Sequence, residues 1–323
     1  MARASATFYA GPDPLSHFTT APEISQMFGE LVGLALAQAW VDQGAPARFT
    51  LAELGPGRGT LMADILRATR AVPGFHAAAE VALLEASPVL RKVQDKTIGR
   101  DRGLGLTWIG TADDLPEQPL FLIANEFFDA LPIHQYQFRN GLWHERLVGL
   151  KDGHLAFGLA ERGQGTTSTL ADRQRDEGLI IEEGRIGLFV MRQIAHRLQH
   201  YGGLALVIDY GDWRSRGDTL QALRRHAFDD PLAHPGAADL TAHVDFEALA
   251  LLQDHHFTTQ TAFLQRLGIE SRADRLAQGL TGAARESHLA ALRRLTHPEE
   301  MGSLFKVLAL TRPMAPLPPG FDP

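Results

Sequence analysis

The chain has no cysteine among its 323 residues. This excludes disulfides, thiolate metal ligands and cysteine nucleophiles, and it is typical of proteins in a reducing compartment. The sequence also lacks an apolar run of the roughly 18 residues that a membrane span needs, and its first ten residues have no apolar signal core. We therefore expect a soluble protein of the cytoplasm if the source is bacterial, or of the mitochondrial matrix if it is eukaryotic.

Positive charge is not in excess either. Lysine and arginine number 31 against 38 aspartates and glutamates, the formal net charge is −7, and the cations are scattered along the chain. Because a nucleic-acid surface needs a basic patch or stripe, we do not expect nucleic acid as a partner. A hydrophobic content of 45% is enough for a globular core, and we find no internal repeat.

Short apolar runs alternate with helical patterns, which is typical of an α/β fold with a parallel sheet covered on both faces. The predicted strands cover residues 49–54, 80–85, 104–109, 119–125, 204–210 and 304–311. Apolar residues at helical spacing predict a helix over 22–40, before the sheet, and a crossover helix over 60–72. A doubly wound sheet is the simplest interpretation.

The pattern changes after the fourth strand. Residues 134–159 alternate around Asn140-Gly141 and Asp152-Gly153, two strong hairpin signals. Residues 161–176 are polar and rich in glycine and threonine, so we expect a loop there. We expect helices over 184–200 and in an insertion across 245–297.

His196 and His200 lie four residues apart in the helix expected at 184–200, a spacing that can hold a metal. The sequence HRLQH lacks the glutamate of a zinc peptidase motif, and cationic side chains in a last turn also suit the helix dipole. We favour the second interpretation and predict no metal site.

The stretch LAELGPGRGT follows the first predicted strand and carries Gly55, Gly57 and Gly59. A dinucleotide fingerprint has its last glycine where this chain has Thr60. The G-x-G-x-G pattern after an acid, Glu53, is instead typical of S-adenosylmethionine (SAM) sites. SAM has no pyrophosphate, and its amino-acid end and ribose need close backbone approach and a nearby carboxylate.

Two further acids extend this hypothesis. Glu85, at the end of the second strand, can accept hydrogen bonds from both ribose hydroxyls. Asp113 follows the third strand, where an adenine contact and a plain helix N-cap are equally good interpretations. The glycine stretch has its own structural alternative, a tight turn that needs small residues for packing. The two glutamates, each after a predicted strand, favour SAM binding.

Polar residues leave the fourth strand in FLIANEFFDALP, at the carboxyl edge where ligands of open α/β sheets bind. We assign Asn125 to the cofactor side, and we take Glu126 and Asp129, with Glu23 from the N-terminal stretch, as candidate catalytic residues. If the methyl acceptor is an arginine, carboxylates can hold its guanidinium and orient one nitrogen toward the methyl group. As alternatives, Asn125 is a turn residue and Asp129 a helix cap.

Several stretches together resemble the MidA family of class I SAM-dependent methyltransferases. They are HFTTAPEISQMFGE, ELGPGRGTLM, LLEASPVLRKVQ, ANEFFDALPIHQY, VIDYG, DPLAHPGAADLTAHVDF, FLQRLGI and LFKVL. They run in family order over nearly the whole chain, and TAPEIS with NEFFDALP is much more specific than the glycine stretch. Two departures stand out: His17 replaces a usual aspartate, and almost nothing of the family's first helical segment precedes Phe8 and Tyr9.

The resemblance implies a Rossmann-like methyltransferase core with a seven-stranded, mostly parallel sheet, an N-terminal helical segment, and helical and hairpin insertions. It implies SAM as donor. The family's motif positions fall on Glu53, Gly55, Gly57 and Gly59 for the SAM loop, Glu85 for the ribose, Asn125, Glu126 and Asp129 on the acceptor side, and Thr20, Pro22 and Glu23 in the N-terminal block.

The resemblance also implies one domain over 1–323, with an N-terminal cap at 1–48, a core at 49–133 and 203–311, and insertions within 134–202 and 212–303 that form a substrate-side subdomain. The implied reaction is methylation of a protein arginine, in a matrix-arm subunit of respiratory complex I, in support of complex assembly. Two alternatives stay open: an assembly factor that binds a partner with little or no catalysis, and a small-molecule methyltransferase.

Overall fold

The computed structural model describes residues 1–9, 11, 19–99, 105–163, 175–251 and 253–322. Its helices are α1 (Ala2–Tyr9), α2 (Ala21–Ile24), α3 (Gln26–Asp42), α4 (Thr60–Ala68), α5 (Phe75–Ala78), α6 (Pro88–Ile98), α7 (Arg185–Tyr201), α8 (Phe246–Ala250), α9 (Gln260–Arg266), α10 (Ile269–Ala277) and α11 (Gly282–Thr296). Its strands are β1 (Phe49–Leu54), β2 (Ala79–Leu84), β3 (Gly105–Ile109), β4 (Leu120–Asn125), β5 (His134–Arg139), β6 (Leu142–Lys151), β7 (His154–Leu159), β8 (Ile180–Glu183), β9 (Gly203–Asp212), β10 (Gln221–Arg224), β11 (Ala227–Asp229), β12 (Asp239–Thr241), β13 (Val244–Asp245), β14 (Asp254–Thr259) and β15 (Phe305–Thr311).

The chain forms two compact units. The larger unit comprises Thr19–Phe127, Val190–Tyr210 and Leu252–Pro323, and the smaller unit comprises Met1–Phe18, Phe128–Phe189 and Gly211–Leu251.

A twisted sheet in the order β14-β15-β9-β4-β1-β2-β3 organises the larger unit. Neighbours from β9 to β3 run parallel, whereas β15 is antiparallel to both β9 and β14. Strands β1 and β4 are buried along their whole length, which explains why each is a continuous apolar run in the sequence. The α/β class and the mostly parallel sheet are confirmed.

Helices cover this sheet and close an aromatic core. The ring of Phe49 on β1 lies 4.9 Å from that of Phe75 and 5.3 Å from that of Phe121. Trp40 of α3 meets Phe75 edge-on at 5.4 Å. The predicted crossover helix is confirmed as α4, whose apolar face is buried against the sheet, and a short 3-10 turn follows at Thr69–Ala71.

The helix expected over 22–40 is interrupted at Ser25. This residue is extended, with φ −159°, and its Oγ accepts the Met27 N–H at 3.2 Å. It therefore ends α2 and caps α3, because a serine side chain can satisfy one of the free N–H groups at a helix start. The apolar period continues through the break, so periodicity alone does not reveal it.

The prediction of a helical insertion over 245–297 is wrong at β14. Residues 254–259, DHHFTT, pair antiparallel with β15, and His255 lies opposite Leu310. As the edge strand of the sheet, β14 has one neighbour and stays partly exposed, so it needs no apolar run. Helices α8 to α11 account for most of the remaining insertion.

The smaller unit is built on two antiparallel sheets, ordered β7-β6-β5-β8 and β11-β10-β12. Both predicted hairpins are confirmed: Asn140 and Gly141 have φ of 50° and 79°, and Asp152 and Gly153 have φ of 52° and 78°. Two positive φ angles in a two-residue loop are the mark of a type I′ turn. Strand β8 and the second sheet were not predicted from the sequence. Most of the loop expected at 161–176 and His17 lie outside the described residues.

Helix α1 docks on the second sheet of the smaller unit. The Tyr9 hydroxyl donates to Oδ1 of Asp239 on β12 at 3.0 Å. Burial raises the pKa of Asp239 to about 6, although the Tyr9 hydrogen bond acts in the opposite direction.

The helix expected over 184–200 is confirmed as α7. Its His200 Nδ1 lies 2.8 Å from the His196 carbonyl oxygen, the contact of a side chain with its own helix. Among the described residues, we find no group of three or more histidine, aspartate or glutamate side chains that could hold a metal ion. Of the helices described, none has both the length and the apolar character needed to cross a bilayer.

Candidate active site

The turn between β1 and α4 requires its glycines. Gly55, Gly57 and Gly59 have φ of 63°, 53° and 80°, a left-handed region that glycine alone enters without strain. A Cβ at Gly55 would lie 2.9 Å from Cδ2 of Phe127, and one at Gly59 would lie 3.3 Å from Cα of Gln94. The backbone therefore packs tightly on one side, as the structural alternative for this stretch requires.

Glu53 precedes the turn and has a feature that tight packing alone does not explain. Its side chain is 3% exposed, and its Oε2 has no hydrogen-bond partner among the described residues. Burial raises the pKa of this carboxyl to about 8, while a hydrogen bond from the Met62 backbone acts in the opposite direction. A buried carboxyl oxygen without a partner is costly unless a ligand supplies a donor. An ammonium group such as that of SAM fits this requirement.

Glu85 lies directly after β2 and is also buried. Its Oε1 accepts the Ser87 N–H at 2.7 Å and its Oε2 accepts Nε2 of Gln94 at 3.0 Å. Burial raises the pKa of Glu85, and these two donors oppose the rise. Because each carboxylate oxygen can accept more than one hydrogen bond, both keep capacity for ribose hydroxyls.

Asn125 and Glu126 end β4. Glu126 is a non-glycine residue with φ of 51°, and its N–H donates to the Ile208 carbonyl at 2.9 Å. Its Oε1 accepts Nδ2 of Asn125 and the backbone N–H of Ala21, each at 3.1 Å. Asn125 Oδ1 is buried with no hydrogen-bond partner among the described residues. The end of this strand thus combines backbone strain with an unsatisfied acceptor, a pairing common at functional sites.

Glu23 brings the N-terminal block to the glycine turn. Its Oε1 accepts the Thr60 hydroxyl at 2.6 Å, and Thr60 is the first residue of α4. Ala21 of the same short helix contacts Glu126, as described above. Helix α2 is therefore held at two points, one at the glycine turn and one at the end of β4.

The remaining predicted residues are more remote or belong elsewhere. Asp113 is an exposed residue inside the 3-10 turn Ala112–Asp114, and its carbonyl accepts Nη2 of Arg197 at 2.8 Å. The N-cap of that turn is Thr111, whose N–H donates to Asp114, so the capping alternative for Asp113 is wrong. Asp129 is buried in the smaller unit, where its carbonyl accepts the Ala242 N–H at 3.0 Å.

Two residues of this region were not singled out from the sequence. Gln94 is a polar residue at a buried helix position between Leu90 and Ile98, and that placement was the available signal. Asp209, buried near the end of β9, accepts the N–H groups of Phe127 at 3.2 Å and Tyr210 at 2.9 Å. An acid near the end of an apolar strand, the pattern that pointed to Glu53, also marks Asp209.

A family model described as S-adenosyl-L-methionine-dependent methyltransferase matches residues 31–263. Over 333 residues the chain is 35% identical to the Drosophila melanogaster "Protein arginine methyltransferase NDUFAF7 homolog, mitochondrial". The aligned region covers 91% of this chain and 74% of the relative. It is 31% identical over 324 residues to the Homo sapiens "Protein arginine methyltransferase NDUFAF7, mitochondrial", with 91% and 73% covered.

Solved structures agree with these similarities. A Burkholderia thailandensis protein bound to S-adenosyl-homocysteine (SAH) is 30% identical, with a TM-score of 0.79 and coverage of 97% of this chain and 81% of that one. A native crystal structure of a protein from the same organism is 29% identical, with a TM-score of 0.80 and coverage of 94% and 84%.

Proposed function

The chain belongs to the S-adenosyl-L-methionine-dependent methyltransferase family, and we propose that its acceptor is an arginine side chain of a protein. The names of its relatives support arginine as the acceptor. The observation that carries the donor half of the proposal, SAM binding, is the carboxyl of Glu53, which is buried beside the glycine turn with one oxygen that lacks a hydrogen-bond donor among the described residues.

We assign each part of SAM, the methyl donor, to different residues of the larger unit. We assign the ammonium group of SAM to Glu53, the ribose hydroxyls to Glu85 and the adenine to Asp113. Gly55, Gly57 and Gly59 would allow the close backbone approach. When bound, SAM supplies a methyl group on a sulfonium, which is transferred by in-line displacement and so demands alignment above all.

The acceptor side is assigned to Glu126, while its neighbour Asn125 stays on the cofactor side. A carboxylate can hold a guanidinium bidentately and turn one nitrogen toward the methyl group. Arginine stays protonated in proteins, so a nitrogen that gains a methyl must give up a proton, and Glu126 is placed in our scheme to accept it. Glu23 and Asp129 complete the set of catalytic candidates.

A competing function is a partner-binding assembly factor with little or no catalysis. It is favoured by the contacts of Glu126, whose Oε1 already serves Ala21 and Asn125 within the fold. Glu126→Gln separates the two, because glutamine keeps an oxygen acceptor of the same length but loses the charge. Retained biological activity in a variant that still binds SAM and the partner protein would favour the assembly factor. Lost methylation with retained binding would favour the enzyme.

Calorimetric titration of SAM into the folded protein tests the donor half. We expect Gly57→Val to abolish binding, since a branched side chain at this turn would occupy the space a ligand needs. Gly141→Val is the matched control, because it places the same strain at φ 79° in a hairpin with nothing within 4 Å of its added Cβ. If the folded wild-type protein does not bind SAM at millimolar concentration, the proposal is wrong.

The protein substrate we propose is a matrix-arm subunit of respiratory complex I, as the resemblance of the sequence implies. The compartment follows from the substrate: the mitochondrial matrix in a eukaryote, as the names of the relatives support, and the cytoplasm in a bacterium. The smaller unit, with most of the hairpin insertion, is our candidate for acceptor recognition. Incubation with labelled SAM and lysate from the source organism, followed by peptide mapping, would identify the acceptor.

A further inference from the structure

Gln94 is fully buried in α6, and each of its amide hydrogens has an acceptor. Its Nε2 donates to the carbonyl oxygen of Gly57 at 2.8 Å and to Oε2 of Glu85 at 3.0 Å. Gly57 belongs to the turn after β1, whereas Glu85 follows β2. One side chain therefore joins the part of the site assigned to the amino-acid end of SAM to the part assigned to its ribose.

Trp108 fixes which way this amide faces. Its indole Nε1–H donates to Oε1 of Gln94 at 2.8 Å. An indole nitrogen can only donate, so the amide oxygen must face Trp108 and the NH2 group must face the two acceptors. A flipped amide would set its NH2 against the indole N–H and its oxygen against Gly57 and Glu85. The three contacts are thus consistent with one orientation only.

The packing of α6 on the glycine turn brings Gln94 within reach. A Cβ at Gly59 would come within 3.3 Å of Cα of Gln94, so glycine is needed there to let the helix approach. The amide in turn sets the plane of the Glu85 carboxylate, together with the Ser87 N–H on the other oxygen.

We propose that Gln94 is a positioning residue that couples recognition of the two ends of SAM. The inference rests on the proposed function, since it assumes that SAM binds at this turn. Without the amide, Glu85 loses one of the two donors that orient it, and the Gly57 carbonyl loses the donor that holds the turn. SAM then binds more weakly, while a methyl group on bound SAM still meets the same acceptor groups.

Gln94→Leu removes the amide at similar size. Gln118→Leu is the matched control, because Gln118 Nε2 bridges Thr50 Oγ1 and Glu80 Oε2 at 2.9 and 3.1 Å, a similar bridge at the other end of β2. The readouts are the Kd of SAH by calorimetry, the melting temperature, and KM for SAM against kcat. We expect Gln94→Leu to raise the Kd of SAH and the KM for SAM about 10- to 100-fold with kcat within about twofold. We expect Gln118→Leu to leave the Kd, KM and kcat unchanged.

An SAH analogue without the ribose 2′-hydroxyl tests the coupling itself. If Gln94 acts through Glu85, removal of this hydroxyl must weaken binding less in Gln94→Leu than in the wild type, by about threefold or more. Equal weakening in both proteins, or an unchanged Kd of SAH in folded Gln94→Leu, would overturn the inference. If Gln94→Leu does not fold, Trp108→Phe releases the amide from its fixed orientation, and we expect a rise in Kd of about 3- to 10-fold.

A folded Trp108→Phe protein with unchanged affinity would likewise overturn the inference. Failure of the wild-type protein to bind SAH is a different result, because it overturns the proposed function on which the inference depends. The two failures are therefore distinguishable in a single set of titrations.

Discussion

The carboxylate of Glu126 accepts a hydrogen bond from the backbone N–H of Ala21, with 3.1 Å between Oε1 and N, although the residues are 105 positions apart. Glu126 makes this contact from a left-handed backbone conformation, φ 51°, which is unfavourable for any residue with a Cβ. The blocks TAPEIS and NEFFDALP, the most specific parts of the family resemblance, thus meet at one carboxylate.

This relationship predicts an unusual order of stability at position 126. Glycine relieves about 1 kcal/mol of backbone strain but loses both hydrogen bonds that Oε1 accepts, so Glu126→Gly should be less stable than the wild type by about 1 kcal/mol. Alanine loses the same two hydrogen bonds and keeps the strain, so Glu126→Ala should be less stable than Glu126→Gly by about 1 kcal/mol. Urea unfolding of the three proteins measures this, and an alanine variant as stable as the glycine variant would contradict it.

Glu53 predicts proton release on ligand binding. Its pKa of about 8 means that the folded protein holds most of a proton there at pH 7, and a bound ammonium group favours the carboxylate instead. Calorimetry of SAH binding at pH 7, in buffers with different ionisation enthalpies, should therefore show release of most of one proton. Glu53→Gln should abolish the release and Glu23→Gln, on the exposed side of α2, should keep it. Equal release in all three proteins would refute the assignment.

An alanine at Gly55 should destabilise the protein more than an alanine at a glycine that also has a positive φ but has open space where a Cβ would be added. An added Cβ would meet Phe127 at 2.9 Å, besides its φ of 63°. Gly141 has φ 79° and nothing within 4 Å, so Gly141→Ala carries the backbone strain alone. We expect Gly55→Ala to lower the free energy of unfolding by about 1–3 kcal/mol more than Gly141→Ala does. Denaturant unfolding compares them directly, and equal losses would mean that Phe127 moves aside freely.

The fold was predictable where burial is uniform. Strands such as β1 and β4 are covered on both faces and read as unbroken apolar runs, so their bounds could be predicted closely. Strand β14 lies at an edge and is polar, and its sequence has no such run. The break at Ser25 depends on a local cap within a continuing apolar period, which hydrophobic spacing does not encode.

The candidate site follows the same division. Gly55 and Glu53 are recognisable because a tight turn and a strand-end acid leave local signals. The bridge from Gln94 to Gly57 and Glu85 joins three elements, and sequence spacing carries no information about which side chain meets which across them. The contact between Ala21 and Glu126 is of the same kind.

Asp239 predicts a pH-dependent stability in the smaller unit. Its pKa is raised from 3.8 to about 6, so the unfolded chain loses its proton first and the stability from this group falls as pH rises through that window. Asp239→Asn should therefore gain about 1–3 kcal/mol relative to the wild type between pH 4 and pH 7. Hydrogen exchange of the β12 peptide across this range measures it. Tyr9→Phe removes the hydrogen bond that opposes the rise in the pKa of Asp239, so this variant should lose more stability than the wild type as pH rises. A stability difference between Asp239→Asn and the wild type that does not change with pH would contradict the prediction.

Strand β15 is made late but lies inside the sheet, between β9 and β14. During synthesis, both strands that pair with β15 emerge from the ribosome before it. Until β15 is made, the backbone N–H and C=O groups of β9 and β14 that face it have no strand to pair with. A nascent chain that has reached β14 can already assemble the parallel strands from β9 to β3, but it offers an open edge of alternating N–H and C=O groups to other chains. Completion of the sheet is thus tied to the synthesis of residues 305–311.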